Sequence, residues 1–242
     1  MSFRNTYADD RYADAYATLE FHRTYHLAYR DLPELLRAHA AGKRALDFGC
    51  GAGRSTRFLR RLGYDAVGAD ISAAMIAKAR ELDPAGDYRL VRDDDHGALA
   101  PAGFDLVFSG FTFDNIPTRE LKVALFTSLR RLLGPGGRVV NLVSSPELYT
   151  HEWASFSTKD FPENRLARSG DVVRDVITDI PDGRAVEDIL WSEEAYREVY
   201  AASGLEVLTK HAPLATGDEP YAWVSETTIA PWHIYVLRPV EE

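Results

Sequence analysis

The chain has 242 residues and a formal net charge of −9 at pH 7, with 45% hydrophobic and 27% charged residues. This length suffices for one substantial α/β core, so we predict a single domain over residues 1–242. The acidic balance argues against broad affinity for nucleic acid or an anionic membrane, because phosphate binding depends on clustered Lys and Arg. The arginines at 54, 57, 60 and 61 are the densest basic cluster, and we predict that they form a solvated helix face.

The cysteine content and the N-terminus bear on the compartment. Cys50 stands alone, so an intramolecular disulfide is not possible and a reducing compartment is favoured. The sequence after Met1 lacks an apolar signal core, and no run of about 18 uncharged apolar residues occurs. No spacing of His, Cys and acidic residues indicates a metal site. We predict a cytoplasmic monomer or homodimer without a bound metal.

Residues 1–41 are rich in aromatic and leucine side chains at helical spacing. This pattern predicts an N-terminal helical cap in two pieces, with Pro33 tolerated as a kink or in the first turn of the second piece. The aromatic side chains either pack the helices onto the core or, for some of them, cover a ligand.

A glycine-rich turn follows a short strand at Ala45–Phe48 and precedes a helix from Arg54. Gly49, Gly51 and Gly53 permit positive φ angles and a close approach of the backbone to a ligand. The helix N-terminus adds unpaired N–H groups. This arrangement predicts a ligand-binding turn.

The spacing within the turn indicates the class of ligand. A dinucleotide fingerprint requires glycine at position 54, where Arg54 stands, and a P-loop requires a lysine that the turn lacks. Asp47 would repel a pyrophosphate but could accept a hydrogen bond from a cationic amino group. The run Asp47-x-Gly-x-Gly-x-Gly resembles the cofactor loop of class I S-adenosylmethionine-dependent methyltransferases, in which this loop wraps the methionine end of the cofactor. The resemblance implies S-adenosylmethionine as the methyl donor and S-adenosylhomocysteine as the product.

Asp70 ends a second predicted strand, about 20 residues beyond the glycine turn, where a ribose-binding carboxylate belongs in a βαβ unit. We predict that Asp70 binds the two ribose hydroxyls and that Ile71 lies beside the adenine. Capping of the next helix by Asp70 is the alternative, but Ser72 already offers an N-cap.

A third strand over residues 87–92 runs into Asp93, Asp94 and Asp95. The resemblance implies that an acid after this strand accepts from the adenine amino group, either Asp93 or Asp94, with Asp94 preferred. An acidic surface turn is the competing interpretation. In relatives the N-terminal helices often close over the site, which implies that Tyr12, Tyr25 or Arg30 lies near the cofactor, and we name Tyr25 as the cofactor-binding candidate.

A fourth strand over residues 104–108 opens into a loop over residues 109–117. Ligands of open parallel sheets bind beyond the carboxyl ends of the strands. We therefore expect Ser109 to line the cofactor pocket together with Gly110. The side chains predicted to meet the acceptor are Phe111, Phe113, Asp114 and Asn115.

The remaining pattern predicts a helix capped by Thr118, a turn at 134–137, a strand at 138–143, and an aromatic segment at 146–170 followed by a hairpin. A helix at 195–203 and strands at 205–210 and 232–237 complete the chain. The predicted units are a helical cap (1–41), a cofactor-binding core (42–145), an inserted acceptor-side cap (146–191) and the end of the core sheet (192–242). The resemblance implies a three-layer, Rossmann-like, seven-stranded, mostly parallel sheet with a reversed last strand.

The predicted activity is methyl transfer to an oxygen or nitrogen of a small-molecule acceptor, chiefly through positioning, which is worth roughly 7–11 kcal/mol. His151, in the aromatic segment, is a candidate general base, although a loop histidine is often an ordinary polar residue. One alternative is a nicotinamide-dependent oxidoreductase, disfavoured by Arg54 and by the absence of a Tyr-x-x-x-Lys pair after the middle strands. Another is a non-catalytic protein that binds S-adenosylmethionine.

Overall fold

A seven-stranded sheet forms the centre of the computed structural model, which describes residues 14–91, 99 and 103–241. Across the sheet the strands are β3 (Asp87–Leu90), β2 (Asp65–Asp70), β1 (Arg44–Phe48), β4 (Phe104–Gly110), β5 (Leu133–Ser144), β10 (Trp232–Pro239) and β9 (Leu205–His211). Strands β1 to β5 pair in parallel, and β10 runs antiparallel to both of its neighbours. The predicted sheet with a reversed last strand is confirmed.

Six helices connect or cover these strands in the described part of the chain: α1 (Thr24–Arg30), α2 (Leu32–His39), α3 (Arg54–Arg61), α4 (Ala73–Leu82), α5 (Arg119–Leu132) and α6 (Glu193–Ala202). The side chains of Ser72, Thr118 and Ser192 cap α4, α5 and α6 by accepting from backbone N–H groups in the first turn. Pro33 lies in the first turn of α2. None of the helices in the described ranges has the length and apolar character that a membrane crossing needs.

The apolar core lies on both faces of the sheet. Leu106 and Phe108 of β4 belong to the cluster that includes the N-terminal helices, whereas Val107 belongs to the cluster that includes α5 and α6. This alternation follows from the two-residue period of a strand. The sheet is therefore the middle of three layers, as predicted.

The segment between β5 and α6 forms a second, three-stranded antiparallel sheet. Its strands are β6 (Phe156–Ser157), β7 (Val172–Ile177) and β8 (Ala185–Ile189), in that order across the sheet. The predicted hairpin is present, and the added strand β6 extends it. Within β7 the buried positions are 173, 175 and 177. The domain boundaries remain predictions.

One member of the arginine cluster at 54–61, Arg54, differs from the prediction of a solvated helix face. Arg54 is only 9% exposed, and its guanidinium carbon lies 4.6 Å from the ring centroid of Tyr25. Three further rings surround it, those of Tyr16, Phe21 and Tyr29. Because Arg54 is the first residue of α3, its side chain enters the space between α3 and the N-terminal helices, where aromatic faces offset part of the cost of burying a cation.

Glu226 joins three distant segments of the fold. Its side chain is fully buried, and Oε1 accepts from Thr24 Oγ1 (2.6 Å) and from the backbone N–H of Ala154 (2.8 Å). Oε2 accepts from the backbone N–H groups of Val224 (2.8 Å) and Ser225 (3.1 Å). One carboxylate thus connects α1, the second sheet and the chain that leads into β10.

We expect Glu226→Ala to lower the free energy of unfolding by about 3 kcal/mol, because it leaves buried donors without an acceptor. Chemical denaturation followed by circular dichroism measures the change. Glu194→Ala, at an exposed position in α6, is the matched control and should change stability by less than about 0.5 kcal/mol. Equal effects of the two variants would contradict a stabilising role for Glu226.

Candidate functional site

A cavity of about 350 Å³ lies at the carboxyl ends of the central parallel strands. Its lining includes Gly49 and Gly51 from the glycine turn, and Asp70 and Ile71 from the end of β2. Residues from the β4 side close it, namely Gly110, Phe111, Thr112, Asn115, Ile116 and Pro117. The predicted loops therefore meet at one cavity, because parallel strands present their carboxyl ends at the same edge of the sheet.

The three glycines of the turn all have positive φ, with values of 72° at Gly49, 52° at Gly51 and 80° at Gly53. A Cβ at Gly49 would lie 2.1 Å from Thr112 Oγ1, and a Cβ at Gly53 would lie 2.7 Å from the Tyr88 ring. At Gly51 the nearest atom to an added Cβ would be Met75 Sδ, at 3.9 Å. Gly49 and Gly53 are therefore required for packing, whereas Gly51 leaves open the space that a ligand would fill.

Asp70 connects β2 to the glycine turn. Its Oδ2 accepts from the backbone N–H of Gly51, and its Oδ1 accepts from the backbone N–H of Ser72, both at 2.8 Å. Removal of the carboxyl group from water raises its pKa, and the backbone N–H groups oppose that shift. Ile71, next to it, is 50% exposed and lines the cavity. Both residues lie where a ribose and a planar base could be contacted.

Asp47 lies buried beneath the turn rather than in the lining of the cavity. Its Oδ2 accepts from Ser55 Oγ and Thr56 Oγ1, each at 2.6 Å. Its Oδ1 has no hydrogen-bond partner among the residues that the structure describes. Burial is the largest cause that raises its pKa to about 6. This orphaned acceptor is compatible with the predicted contact to a cationic amino group, which stays a prediction.

The other predicted cofactor residues lie elsewhere. Ser109 is fully buried within β4 instead of in the loop, and it does not line the 350 Å³ cavity. Tyr25 is 3% exposed and lines a smaller neighbouring chamber. Tyr12, Asp93 and Asp94 fall outside the described residues. The contacts predicted for these residues remain predictions.

The smaller chamber has a volume of about 20 Å³ and shares Tyr16, Phe111 and Asn115 with the larger cavity. Aromatic side chains form part of its wall: Tyr25 stacks on Trp232 with ring centroids 5.7 Å apart, and Phe111 meets Trp232 at 4.9 Å. The acidic residues that line it are Asp114, Asp175 and Asp188. We call it the acidic chamber.

The three carboxyl groups of the acidic chamber are buried and differ in their partners. Asp114 Oδ2 accepts from the backbone N–H (3.0 Å) and the hydroxyl (2.9 Å) of Ser144. Asp188 Oδ2 accepts from Tyr149 Oη at 3.0 Å. The second oxygen of Asp188 and Oδ1 of Asp175 have no hydrogen-bond partner within the described part of the chain. Burial, with mutual repulsion, raises the pKa of Asp114 and of Asp175.

Lys122 is the nearby buried cation, with no exposed surface. Its Nζ donates to the carbonyl oxygen of Phe113 and lies 4.9 Å from the ring centroid of Trp191. Burial lowers its pKa. In residues 14–91, 99 and 103–241, no ion pair joins Lys122 to the three carboxylates, and no group of His, Cys, Asp and Glu side chains is arranged to hold a metal ion. The acidic chamber thus keeps its unpartnered oxygens.

Two further predictions concern the acceptor side. Phe113 is fully buried and stacks on Phe126 with ring centroids 3.9 Å apart, so the prediction that it meets the acceptor is wrong. The short 3-10 helix at Thr112–Asn115 turns this ring into the core and leaves Asp114 and Asn115 facing the acidic chamber. His151 lines a third cavity that shares no lining residue with the other two. Its role as a base stays a prediction.

Asp175 and Asp188 were not identified from the sequence as site residues. Asp175 pairs with Val186, and Asp188 pairs with Val173, so both acids lie on the inward face of the hairpin. The two-residue period of a strand places Asp175 on the same face as Val173 and Ile177, and this alternation could have identified it as a site residue. A carboxyl group on the apolar face of a strand costs free energy unless it has a partner or a function.

The amino-acid sequence is similar to those of known methyltransferases. Residues 46–141 match the model of a methyltransferase domain. The ubiquinone biosynthesis O-methyltransferase of Pseudomonas aeruginosa strain UCBPP-PA14 is 30% identical over 187 residues, which cover 74% of this chain and 75% of that protein. The chain belongs to the S-adenosylmethionine-dependent methyltransferases of class I.

Two other proteins are similar to this methyltransferase. The malonyl-[acyl-carrier protein] O-methyltransferase of Enterobacter lignolyticus is 33% identical over 129 residues, covering 52% of this chain and 49% of that protein. The CcbJ methyltransferase of Streptomyces caelestis has the same fold, with a TM-score of 0.67 and 20% identity over 98% of this chain and 99% of that one. The family assignment excludes the nicotinamide-dependent alternative, and S-adenosylmethionine is the methyl donor.

The residues present fit this cofactor. Gly51 leaves open the space that a Cβ would fill, Asp70 faces the cavity, and Asp47 keeps a buried oxygen without a donor in the described residues. The bound cofactor supplies a methyl group on a positively charged sulfur, so the protein needs only to hold donor and acceptor in line.

Proposed function

We propose that this methyltransferase acts on a small molecule whose reacting group enters the acidic chamber from the cofactor cavity. The observation that carries the proposal is that the two spaces are neighbours, with Tyr16, Phe111 and Asn115 in the lining of both. The acidic chamber has room for about one water-sized group. A reacting atom fits there, whereas a polypeptide or nucleic-acid segment does not.

We assign the cofactor contacts as follows. Gly49 and Gly51 would approach the methionine end, Asp47 would receive a hydrogen bond from its amino group, and Asp70 would accept from the ribose hydroxyls. Ile71 would lie against the adenine. These assignments rest on the open cradle at Gly51 and on the position of Asp70 at the edge of the cavity.

Two of the proteins named above carry the names of O-methyltransferases, one of ubiquinone biosynthesis and one of malonyl-[acyl-carrier protein]. The family match ends at residue 141, before the hairpin that carries Asp175 and Asp188. The acceptor side of this chain is therefore best inferred from its own residues.

The purified protein should bind S-adenosylmethionine and S-adenosylhomocysteine and release the latter when a suitable acceptor is present. Calorimetric titration measures binding, and S-adenosylhomocysteine release over a panel of hydroxyl, amine and carboxyl compounds measures turnover. Ligand at 100 times its Kd should stabilise the fold by about 2.7 kcal/mol. Failure to bind either form of the cofactor would contradict the proposal; binding without turnover on any compound would favour a non-catalytic role.

We further propose a cytoplasmic location and a monomeric or homodimeric state. The supporting observation for the compartment is Cys50, which is buried and has a free thiol. Fractionation of cells that produce the protein tests the location, and light scattering after size exclusion tests the oligomeric state.

A further inference from the structure

The unsatisfied groups at the inner end of the site are all hydrogen-bond acceptors. Oδ1 of Asp175, Oδ1 of Asp188 and Oδ1 of Asn115 have no donor among the described residues. All three residues line the acidic chamber, and Asn115 also lines the cofactor cavity. A ligand that completes this site must supply donors.

Because these acceptors are buried, water cannot easily replace the donors that a ligand would supply. Asp175 is 2% exposed and Asp188 is 8% exposed, so bulk water does not solvate them freely. Buried charges are tolerated when they are paired and hydrogen-bonded. Of the two buried cations nearest the chamber, Lys122 donates to the carbonyl oxygen of Phe113 and Arg54 lies against the aromatic rings of Tyr16 and Tyr25. Within the described part of the chain, no cationic side chain is hydrogen-bonded to the three carboxyl groups of the acidic chamber.

The walls of the acidic chamber also favour a cation. Tyr25, Phe111 and Trp232 lie within 5.8 Å of one another by ring centroid, in one stacked and two edge-on contacts. Aromatic faces attract an ammonium group, and the attraction increases when the cation is desolvated. A carboxylate or phenolate carries no N–H or O–H group and could not supply the donors that these oxygens lack.

We propose that the methyl acceptor carries an amino group, which enters the acidic chamber as an ammonium bound by Asp175, Asp188 and Asn115 and is methylated on its nitrogen. This inference rests on the proposed function and narrows its acceptor to amines. A primary ammonium supplies three N–H donors, which matches the three unpartnered oxygens. Its size also matches the volume of about 20 Å³.

The same contact prepares the nitrogen for reaction. An ammonium has no lone pair, so one proton passes to the Asp175 carboxylate and leaves a neutral amine. Burial raises the pKa of this carboxyl and lowers that of a buried amine, and both shifts favour the transfer. The nitrogen then forms a bond to the methyl carbon as the carbon–sulfur bond breaks. The products are a methylated ammonium and uncharged S-adenosylhomocysteine.

Three probes that differ in the head group test the inference: benzylamine, benzyl alcohol and benzoate. We expect the complex of the protein with S-adenosylhomocysteine to bind benzylamine most tightly and benzoate least, by calorimetry. With S-adenosylmethionine, mass spectrometry should show methylation of the amine nitrogen. Preference for the alcohol or for benzoate would overturn the inference while leaving methyl transfer itself intact, and loss of cofactor binding would instead count against the proposed function.

Asp175→Asn should lower kcat/KM for benzylamine about 10- to 100-fold, because one charged hydrogen bond and the proton acceptor are lost. Its affinity for S-adenosylmethionine should change less than about twofold, and its thermal midpoint should stay equal or rise, since an unpaired buried carboxyl is removed. A merely structural Asp175 would lower the midpoint.

Glu187→Gln is the matched control, on the outward face of the same hairpin, where Glu187 accepts from Arg174 at 3.1 Å. It should leave kcat/KM for benzylamine within about twofold. An unchanged kcat/KM in Asp175→Asn, or equal losses in the two variants, would overturn the assignment of the acidic chamber.

Discussion

Gly51→Val is expected to weaken S-adenosylmethionine binding by roughly 100-fold or more, equivalent to about 2.7 kcal/mol. The reason is steric: a Cβ at Gly51 meets only Met75 Sδ at 3.9 Å, so the added side chain would extend into open space at the wall of the cofactor cavity. The fold itself has room for the new atoms. Calorimetric titration with S-adenosylmethionine measures the loss.

The control for this variant is Gly136→Val. Gly136 also has a positive φ, of 72°, and a Cβ there would have no neighbour within 4 Å. Both variants incur about 1–2 kcal/mol of left-handed backbone strain, but only Gly51→Val obstructs the cavity. Equal cofactor affinity in the two variants would show that the glycine turn does not face the ligand.

Asp70→Ala is expected to reduce S-adenosylmethionine affinity by about 100-fold, since hydrogen bonds to a charged group are worth about 1.5–3 kcal/mol each. The variant removes the proposed acceptor for the ribose hydroxyls. It also removes the acceptor for the Gly51 backbone N–H, at 2.8 Å, which holds the turn against β2. Titration with S-adenosylmethionine and with S-adenosylhomocysteine gives the affinity of both forms.

Two further variants separate these effects. Asp65→Ala, at the exposed first residue of β2, should leave cofactor affinity unchanged. Asp70→Asn keeps one acceptor oxygen and should give an intermediate loss. If Asp70→Ala binds the cofactor as tightly as the unaltered protein, Asp70 does not belong to the site. Thermal unfolding without ligand measures separately how much Asp70 contributes to the stability of the fold.

The cofactor side of this protein could be predicted from the sequence to a large extent. Gly49, Gly51 and Asp70 are close in sequence to the strand ends that position them, so the local pattern and the parallel-sheet geometry place them together. The caps at Ser72, Thr118 and Ser192 were predictable for the same reason, because a cap and its partner are three residues apart.

Other side chains depend on contacts between distant segments. Arg54 follows the glycine turn, and the local pattern predicts an exposed side chain, but helices about 30 residues upstream bury it. Ser109 follows an apolar run, and the sequence pattern predicts that it lies in a loop, but pairing with β5 extends β4 through Gly110. Neither outcome is encoded in local spacing.

The sequence by itself predicted the sheet, the cofactor and the reaction class, because the glycine turn with Asp47 resembles the cofactor loop of class I S-adenosylmethionine-dependent methyltransferases, and that resemblance implies all three. Only the tertiary structure decided the acceptor side. Asp114 comes from the loop after β4 and Asp175 and Asp188 from a hairpin more than 50 residues later, and the chamber that they share exists only once that hairpin folds back over the sheet. Acids so far apart in the chain have no common sequence signal. Their burial together, with oxygens left unpartnered in the described residues, is the observation on which the proposed amine acceptor rests.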